Sequence, residues 1–167
     1  MKKQNIYMLI VGFVLLSLMA VMLIFFLEKA KQDFPENITV KENGVTEGIM
    51  EVRDLVLSPT ESREYSVNLF CDASGSYYID LDFEETADGG LKQFIKVIIS
   101  ADGHPVYNGP LTDLLDGDEV ISFEGELLSS DKEPFVVTVR YFMPYDVGNE
   151  AMGTYADFDV HIKIKKS

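Results

Sequence analysis

Two histidines, one cysteine and several short acidic runs are the residues of this sequence whose types suit chemistry. A histidine pair performs acid–base work only when both rings reach the same reacting group. His104 sits in the tight turn opened by Asp102-Gly103, whereas His161 falls on the polar side of an alternating C-terminal run. That placement predicts two solvated histidines rather than a catalytic pair. Cys71 is the single cysteine, so an intramolecular disulfide is impossible, and with two histidines in all a Cys/His zinc cluster is out of reach. Cys71 shares its alternation with Tyr65, Val67 and Leu69, which predicts a small buried hydrophobe rather than a reactive thiol. The chain has no HExxH helix, no GxSxG elbow and no phosphate-binding glycine loop. The expectation is a protein with no catalytic residues and no enzymatic activity.

Acidic residues raise a second chemistry. Asp116, Asp118 and Glu119 crowd three carboxylates around Gly117, and Asp80, Asp82, Asp157 and Asp159 form a ladder if their strands are neighbours. Calcium takes about six to eight oxygens, and neither group has the spaced loop of a dedicated site. Solvated carboxylates that keep strand edges apart are the expected reading. Asp116, Asp118 and Glu119 remain the calcium candidates, and no other cofactor is expected. Asn37-Ile38-Thr39 matches a short glycosylation acceptor pattern.

The elements that must position these residues are strands, because the apolar pattern has period two rather than 3.6. Segments 38–41 and 45–52 flank Asn43-Gly44, a pair that favours hairpin turns, so they are expected to pair. Residues 64–71 alternate, and residues 76–84 place Tyr77, Ile79, Leu81 and Phe83 on one face. A break at Asp88-Gly89-Gly90 precedes a strand over 94–100, a turn, a short strand over 105–108 and one helical turn over 111–115. Segments 119–127 and 135–143 are expected to pair around a polar loop. The second is apolar on both faces, which predicts a central strand. The last strand, 154–166, alternates Ala156, Phe158, Val160, Ile162 and Ile164 with polar neighbours. Short strands with frequent turn signals and no long amphipathic helix predict an all-β fold, an antiparallel two-layer β-sandwich of jelly-roll type.

The chain's averages conceal an apolar N-terminal run. The 167 residues carry 14 basic and 28 acidic side chains, a net charge of −14, and mean hydropathy is +0.06. From Ile6 to Leu27 no residue is charged. As a helix that run is about 33 Å long, enough to cross a hydrocarbon core of roughly 30 Å. Lys2 and Lys3 precede it and a mixed set, Glu28, Lys29, Lys31 and Asp33, follows, which places the N-terminus in the cytoplasm and the body outside. A cleaved secretory signal is the competing reading. The run is longer than its usual apolar region of about 7–15 residues. Cleavage sites are also poor, since Leu18 stands two residues before Ala20 and Glu28 two before Ala30. The expected organisation is a cytoplasmic 1–5, a transmembrane anchor over 6–27, a tether over 28–36 and an extracytoplasmic β-sandwich over 37–167. All 28 acids lie beyond the apolar run, so the body repels phosphate backbones and anionic lipid surfaces, which excludes nucleic acid as a partner. The bilayer, met through Ile6 to Leu27, is the expected lipid partner.

An ordered series of short motifs carries a family resemblance. Val106-Tyr107-Asn108-Gly109-Pro110-Leu111-Thr112-Asp113-Leu114 follows Phe94-Ile95-Lys96-Val97 and Asp102-Gly103. Gly148-Asn149-Glu150-Ala151-Met152-Gly153 leads to Phe158-Asp159-Val160, after a strand over 137–144. Leu55 to Pro59 opens the strand over 64–70. In this order, over about residues 50–166, the chain resembles the TasA/camelysin family. Met152 stands where that family usually has glutamine. The resemblance implies an exported jelly-roll-like sandwich from Gram-positive bacteria. Members of the family include major fibre proteins of biofilm matrix and a relative first described as a surface metalloprotease. It also implies assembly by an N-terminal strand that complements the next subunit. Ile38, Thr39 and Val40 are the strand-addition candidates here, with related β-sandwich subunits as partners. The expected function is a membrane-anchored, non-enzymatic surface protein in envelope or biofilm-matrix assembly. The alternatives are a camelysin-like surface metallopeptidase and a surface ligand-binding module.

Overall fold

The structure is a computed structural model that describes Met19 and residues 36–117, 120–129 and 133–167. The expected anchor over 6–27, Met19 apart, and residues 28–35 of the tether lie outside the described residues. Among the described residues no helix is long and apolar enough to cross a membrane.

Among the described residues nine strands run in order β1 (Glu36–Val40), β2 (Val45–Leu55), β3 (Ser62–Cys71), β4 (Gly75–Gly89), β5 (Lys96–Ala101), β6 (His104–Pro110), β7 (Ile121–Leu127), β8 (Phe135–Phe142) and β9 (Tyr155–Lys166). A short helix, α1 (Leu111–Leu115), follows β6, and 3-10 turns occupy Lys92–Phe94 and Asn149–Ala151. One sheet has the order β1-β3-β8-β5-β6 and the other β2-β9-β4-β7. The described residues are mostly β, in two sheets around one core, as the alternation predicts. The strands pair antiparallel except for β1 on β3, which is parallel.

Alternation placed the inward faces correctly. Tyr77, Ile79, Leu81 and Phe83 of β4 are buried, as are Ala156, Phe158, Val160, Ile162 and Ile164 of β9. They meet Val67 and Leu69 of β3 and Val137, Val139 and Tyr141 of β8 in one apolar cluster. Each such side chain contributes on the order of 1.5–3 kcal/mol when fully buried. The doubly apolar segment forms β8, the centre of its sheet, where strands lie on both sides. Tyr141 is fully buried, and burial pushes its phenol well above the usual tyrosine range. Its hydroxyl has no partner among the described residues, an orphaned group that costs about 1–3 kcal/mol.

Two expected pairings are corrected. Segments 38–41 and 45–52 do not form a hairpin: β1 joins β3 while β2 joins β9, so the Asn43-Gly44 turn, with Gly44 at φ 100°, links the two sheets. Gly48 of β2 lies beneath the Ile38 side chain, so the two strands meet face to face rather than edge to edge. Likewise β7 and β8 do not pair, because β7 joins β4 while β8 lies between β3 and β5. Gly125 of β7 lies against the Phe135 ring of β8, a contact across the core. Local turn chemistry reverses the chain but does not choose the partner. Each strand instead goes where its apolar face is covered.

Candidate functional site

Among the described residues, many titratable groups gather on the outer face of the four-stranded sheet. Period-two alternation turns Glu47 and Glu51 of β2, Asp80, Asp82 and Glu84 of β4, Glu124 and Glu126 of β7, and Asp157 and Asp159 of β9 away from the core. Strand β9 runs through the middle and also supplies His161, Lys163 and Lys165. In register, Lys163 faces Glu47 on one side and Asp80 on the other, His161 faces Ile49 and Asp82, and Asp159 faces two acids, Glu51 and Glu84. His161 Nε2 lies 2.9 Å from Glu84 Oε2. Arg53 Nη2 stands 2.5 Å from Asp159 Oδ1 and 3.7 Å from Glu51, and its Nη1 donates to the Phe158 carbonyl at 3.0 Å. At the bulge where β2 leaves its register, Asp54 adopts φ 49° and its N–H donates to Asp157 Oδ1 at 2.6 Å. The four acids of the expected ladder therefore lie on neighbouring strands, but the register offsets the two pairs: Asp80 faces Lys163, Asp82 faces His161, Asp159 faces Glu84 and Asp157 faces Ala87.

A groove on this face is lined by Glu47, Gly48, Ile49, His161, Ile162 and Lys163. Opposite charges arranged in rows stabilise cross-strand pairs by about 0.2–1 kcal/mol each and keep the face hydrated. Among the described residues no group of three or more His, Cys, Asp or Glu side chains is placed to hold a metal. His104 begins β6 in the other sheet, so the fold does not bring the two histidines together.

Of the calcium candidates, Asp118 and Glu119 lie outside the described residues. Asp116 ends α1 and is engaged by Lys92, a residue the sequence reading passed over. Lys92 Nζ donates to Glu85 Oε2 at 2.8 Å and to Asp116 Oδ1 at 2.9 Å, with Asp88 Oδ2 at 3.7 Å. Its side chain is only 16% exposed, so the knot joins the end of β4, the 3-10 turn and α1 at a partly dry site. Hydrogen bonds to Glu85 first and Asp116 second push the ammonium above the ordinary lysine value of 10.5, against the opposing effect of burial. Sequence spacing does not show this convergence, because only the Lys92–Asp88 pair is four residues apart.

Lys92→Met is expected to lower stability by about 1–2 kcal/mol, less than two fully buried charge-assisted bonds because Asp116 is half-exposed. A folded-state pKa raised above the unfolded one gives stability that is complete below the unfolded value. The deficit of the variant is thus expected to be constant up to about pH 10.5 and to shrink above it. Urea unfolding of both proteins at neutral and alkaline pH measures this, and a deficit that does not change with alkalinity would contradict it.

Cys71 is buried at the end of β3, and burial first, then the Asp72 charge, pushes its thiol up, the opposite of what a nucleophile needs. Asn37 of the glycosylation pattern accepts a hydrogen bond from Asn68 at 3.0 Å. Ile38, Thr39 and Val40 pair in parallel with Leu69, Phe70 and Cys71, at the edge of the chain's own sheet.

No family model matches the chain, and no curated protein matches it either. Among solved structures, the chain is similar to PliG of Aeromonas hydrophila, a periplasmic inhibitor of g-type lysozyme. Identity is 10% over 79% of this chain and 100% of that one, at a TM-score of 0.32. It is also similar to the C-terminal CBM6 of LamC from Zobellia galactanivorans, with 12% identity over 74% of this chain and 100% of that one, at a TM-score of 0.35. Likeness to the EclA C-terminal domain, a sugar-binding protein, gives 16% identity over 66% and 81%, at a TM-score of 0.33. Likeness this distant carries no argument about function.

Proposed function

We propose that the protein is a membrane-anchored, extracytoplasmic, non-enzymatic surface protein that acts in cell-envelope or biofilm-matrix assembly, anchoring or nucleating fibres of related subunits. The observation that carries this reading is β1. Among the described residues it holds an edge of the five-stranded sheet through a parallel pairing to β3 alone, and parallel ladders are slightly weaker per residue than antiparallel ones. Beside it, the first half of β3, from Ser62 to Ser66, pairs with β8 and has no described strand on its other side. An edge of this kind can take or give a strand.

Other features support the remaining parts of the reading. Strand orders 2-9-4-7 and 3-8-5-6, with β1 added at an edge, support a jelly roll. The uncharged run from Ile6 to Leu27, with Lys2 and Lys3 before it, supports a single-pass anchor with the body outside.

Electron microscopy of fibre growth by related subunits on vesicles carrying the full chain tests the proposal. The full chain is expected to seed fibres, and a chain lacking residues 29–41 is expected not to, with circular dichroism confirming its β content. Equal seeding by the shortened chain would remove Ile38, Thr39 and Val40 from the mechanism. Absence of seeding by either chain would remove the function itself.

A further inference from the structure

The two outer faces of the sandwich differ sharply in charge. Alternation that loads the four-stranded sheet with carboxylates leaves only Glu64, Arg140 and Lys96 as charged, outward-directed strand residues on the five-stranded sheet, among those described. Glu64 and Arg140 are register partners, and Arg140 lies opposite Ile98 on its other side. At the middle of the face Ser66 Oγ and Thr138 Oγ are 3.4 Å apart, in register with Ser100. Phe70, Val136 and Phe142 are half-buried, offering apolar surface on the same side. In a chain of net charge −14 this is a nearly neutral surface, with one acid and two bases among its outward strand residues.

We propose that this face takes a second copy of the same chain, sheet against sheet. The charge distribution selects that occupant. Two copies repel wherever their acidic faces approach. When the five-stranded sheets stack, each carboxylate-rich face lies behind its own sheet pair, more than the roughly 10 Å sheet spacing away and therefore beyond a Debye length of about 8 Å at physiological salt. A two-fold arrangement is self-complementary, because Glu64 of one copy then meets the basic Arg140 or Lys96 of the other. Five strands at about 4.8 Å and about six residues at 3.3 Å give a face of roughly 480 Å² per copy, below the roughly 800 Å² per partner of a standard interface. The association is therefore weak and concentration-dependent. It uses a sheet face rather than a strand edge, so it does not rest on strand addition by β1.

The test uses the full-length chain in neutral detergent, a Ser66→Cys variant and a short bismaleimide. A crosslinked product of twice the chain mass is expected. Asp82→Cys, on the opposite face, is expected to give none, and neither is the unaltered chain, whose only thiol is the buried Cys71. Adding Arg140→Glu to Ser66→Cys is expected to lower the product about tenfold, and Glu64→Arg together with Arg140→Glu to restore it. Deleting residues 29–41 takes away one edge strand of the face but none of Glu64, Ser66, Lys96 and Arg140, so it is expected to lower the product without abolishing it, which separates this contact from strand addition. Sedimentation of the unaltered chain must show a dimer fraction that rises with concentration. Strict monomers in sedimentation, equal crosslinking from Asp82→Cys, or products formed only with other proteins would each overturn the proposal.

Discussion

Replacing Phe158 by alanine is expected to remove about 3–5 kcal/mol of stability, a large share of the roughly 5–15 kcal/mol that holds a typical domain. The side chain is fully buried on β9, the strand lying between β2 and β4. Its ring meets that of Tyr141 edge-on, with centroids 5.2 Å apart at 65°, and tilts against Phe83 at 6.3 Å. Tyr141 belongs to the opposite sheet and meets Tyr65 edge-on at 5.7 Å. Four rings thus run through the core from one sheet to the other, and the alanine leaves a void that both sheets line. Phe158→Leu keeps most of the volume and is expected to cost less than about 1.5 kcal/mol. Urea unfolding should show a lower midpoint with an unchanged slope for the alanine variant. A midpoint equal to that of the leucine variant would mean that filled volume at this position does not hold the sheets together.

Gly89→Ala is expected to destabilise by about 2–3 kcal/mol even though it adds a single methyl group. Gly89 ends β4 opposite Tyr155, where the Tyr155 carbonyl also accepts the Leu91 N–H at 3.2 Å. A methyl group at position 89 overlaps that carbonyl oxygen and the Tyr155 ring, and a backbone atom cannot swing aside as a flexible side chain does. Gly103 is the informative control. It has φ 80° and open space around it, so Gly103→Ala meets only the left-handed backbone penalty of about 1–2 kcal/mol. Thermal melts of the two variants measure the difference, and equal losses would show that the approach of β9 is not what demands a glycine at position 89.

Legibility in the sequence followed the range of the interactions involved. Alternation over a single strand named the buried faces of β3, β4 and β9, and two apolar faces marked β8 as central, because burial depends on each residue's own side of the pleat. Pairing of β1 and β7 was not legible. Asn43-Gly44 signals a reversal, and the polar loop between β7 and β8 signals proximity in sequence, but both connections cross from one sheet to the other. The Lys92 knot escaped for a similar reason, since Glu85 and Asp116 are brought to it by the end of β4 and by α1. A ladder of Asp80, Asp82, Asp157 and Asp159 depended on their strands being neighbours. They are, but the register offsets the two pairs, with Asp80 opposite Lys163, Asp82 opposite His161 and Asp159 held by Arg53.

The sparsely charged face of the five-stranded sheet was present in the alternation as Ser66, Asn68, Phe70, Thr138 and Phe142, with Glu64 and Arg140 among them. It acquires meaning only when β3, β8 and β5 lie side by side and their outward residues merge into one surface. By itself the sequence determined which residues are apolar, at what period, and that every acid lies beyond the run from Ile6 to Leu27. Those are properties of single residues and their nearest neighbours, and water sorts them without reference to the rest of the chain. Tertiary structure alone decided which strands share a sheet, and with that it separated a carboxylate-rich face from a nearly neutral one. The choice depends on how all nine strands together cover one another's apolar faces, a condition that no local segment encodes.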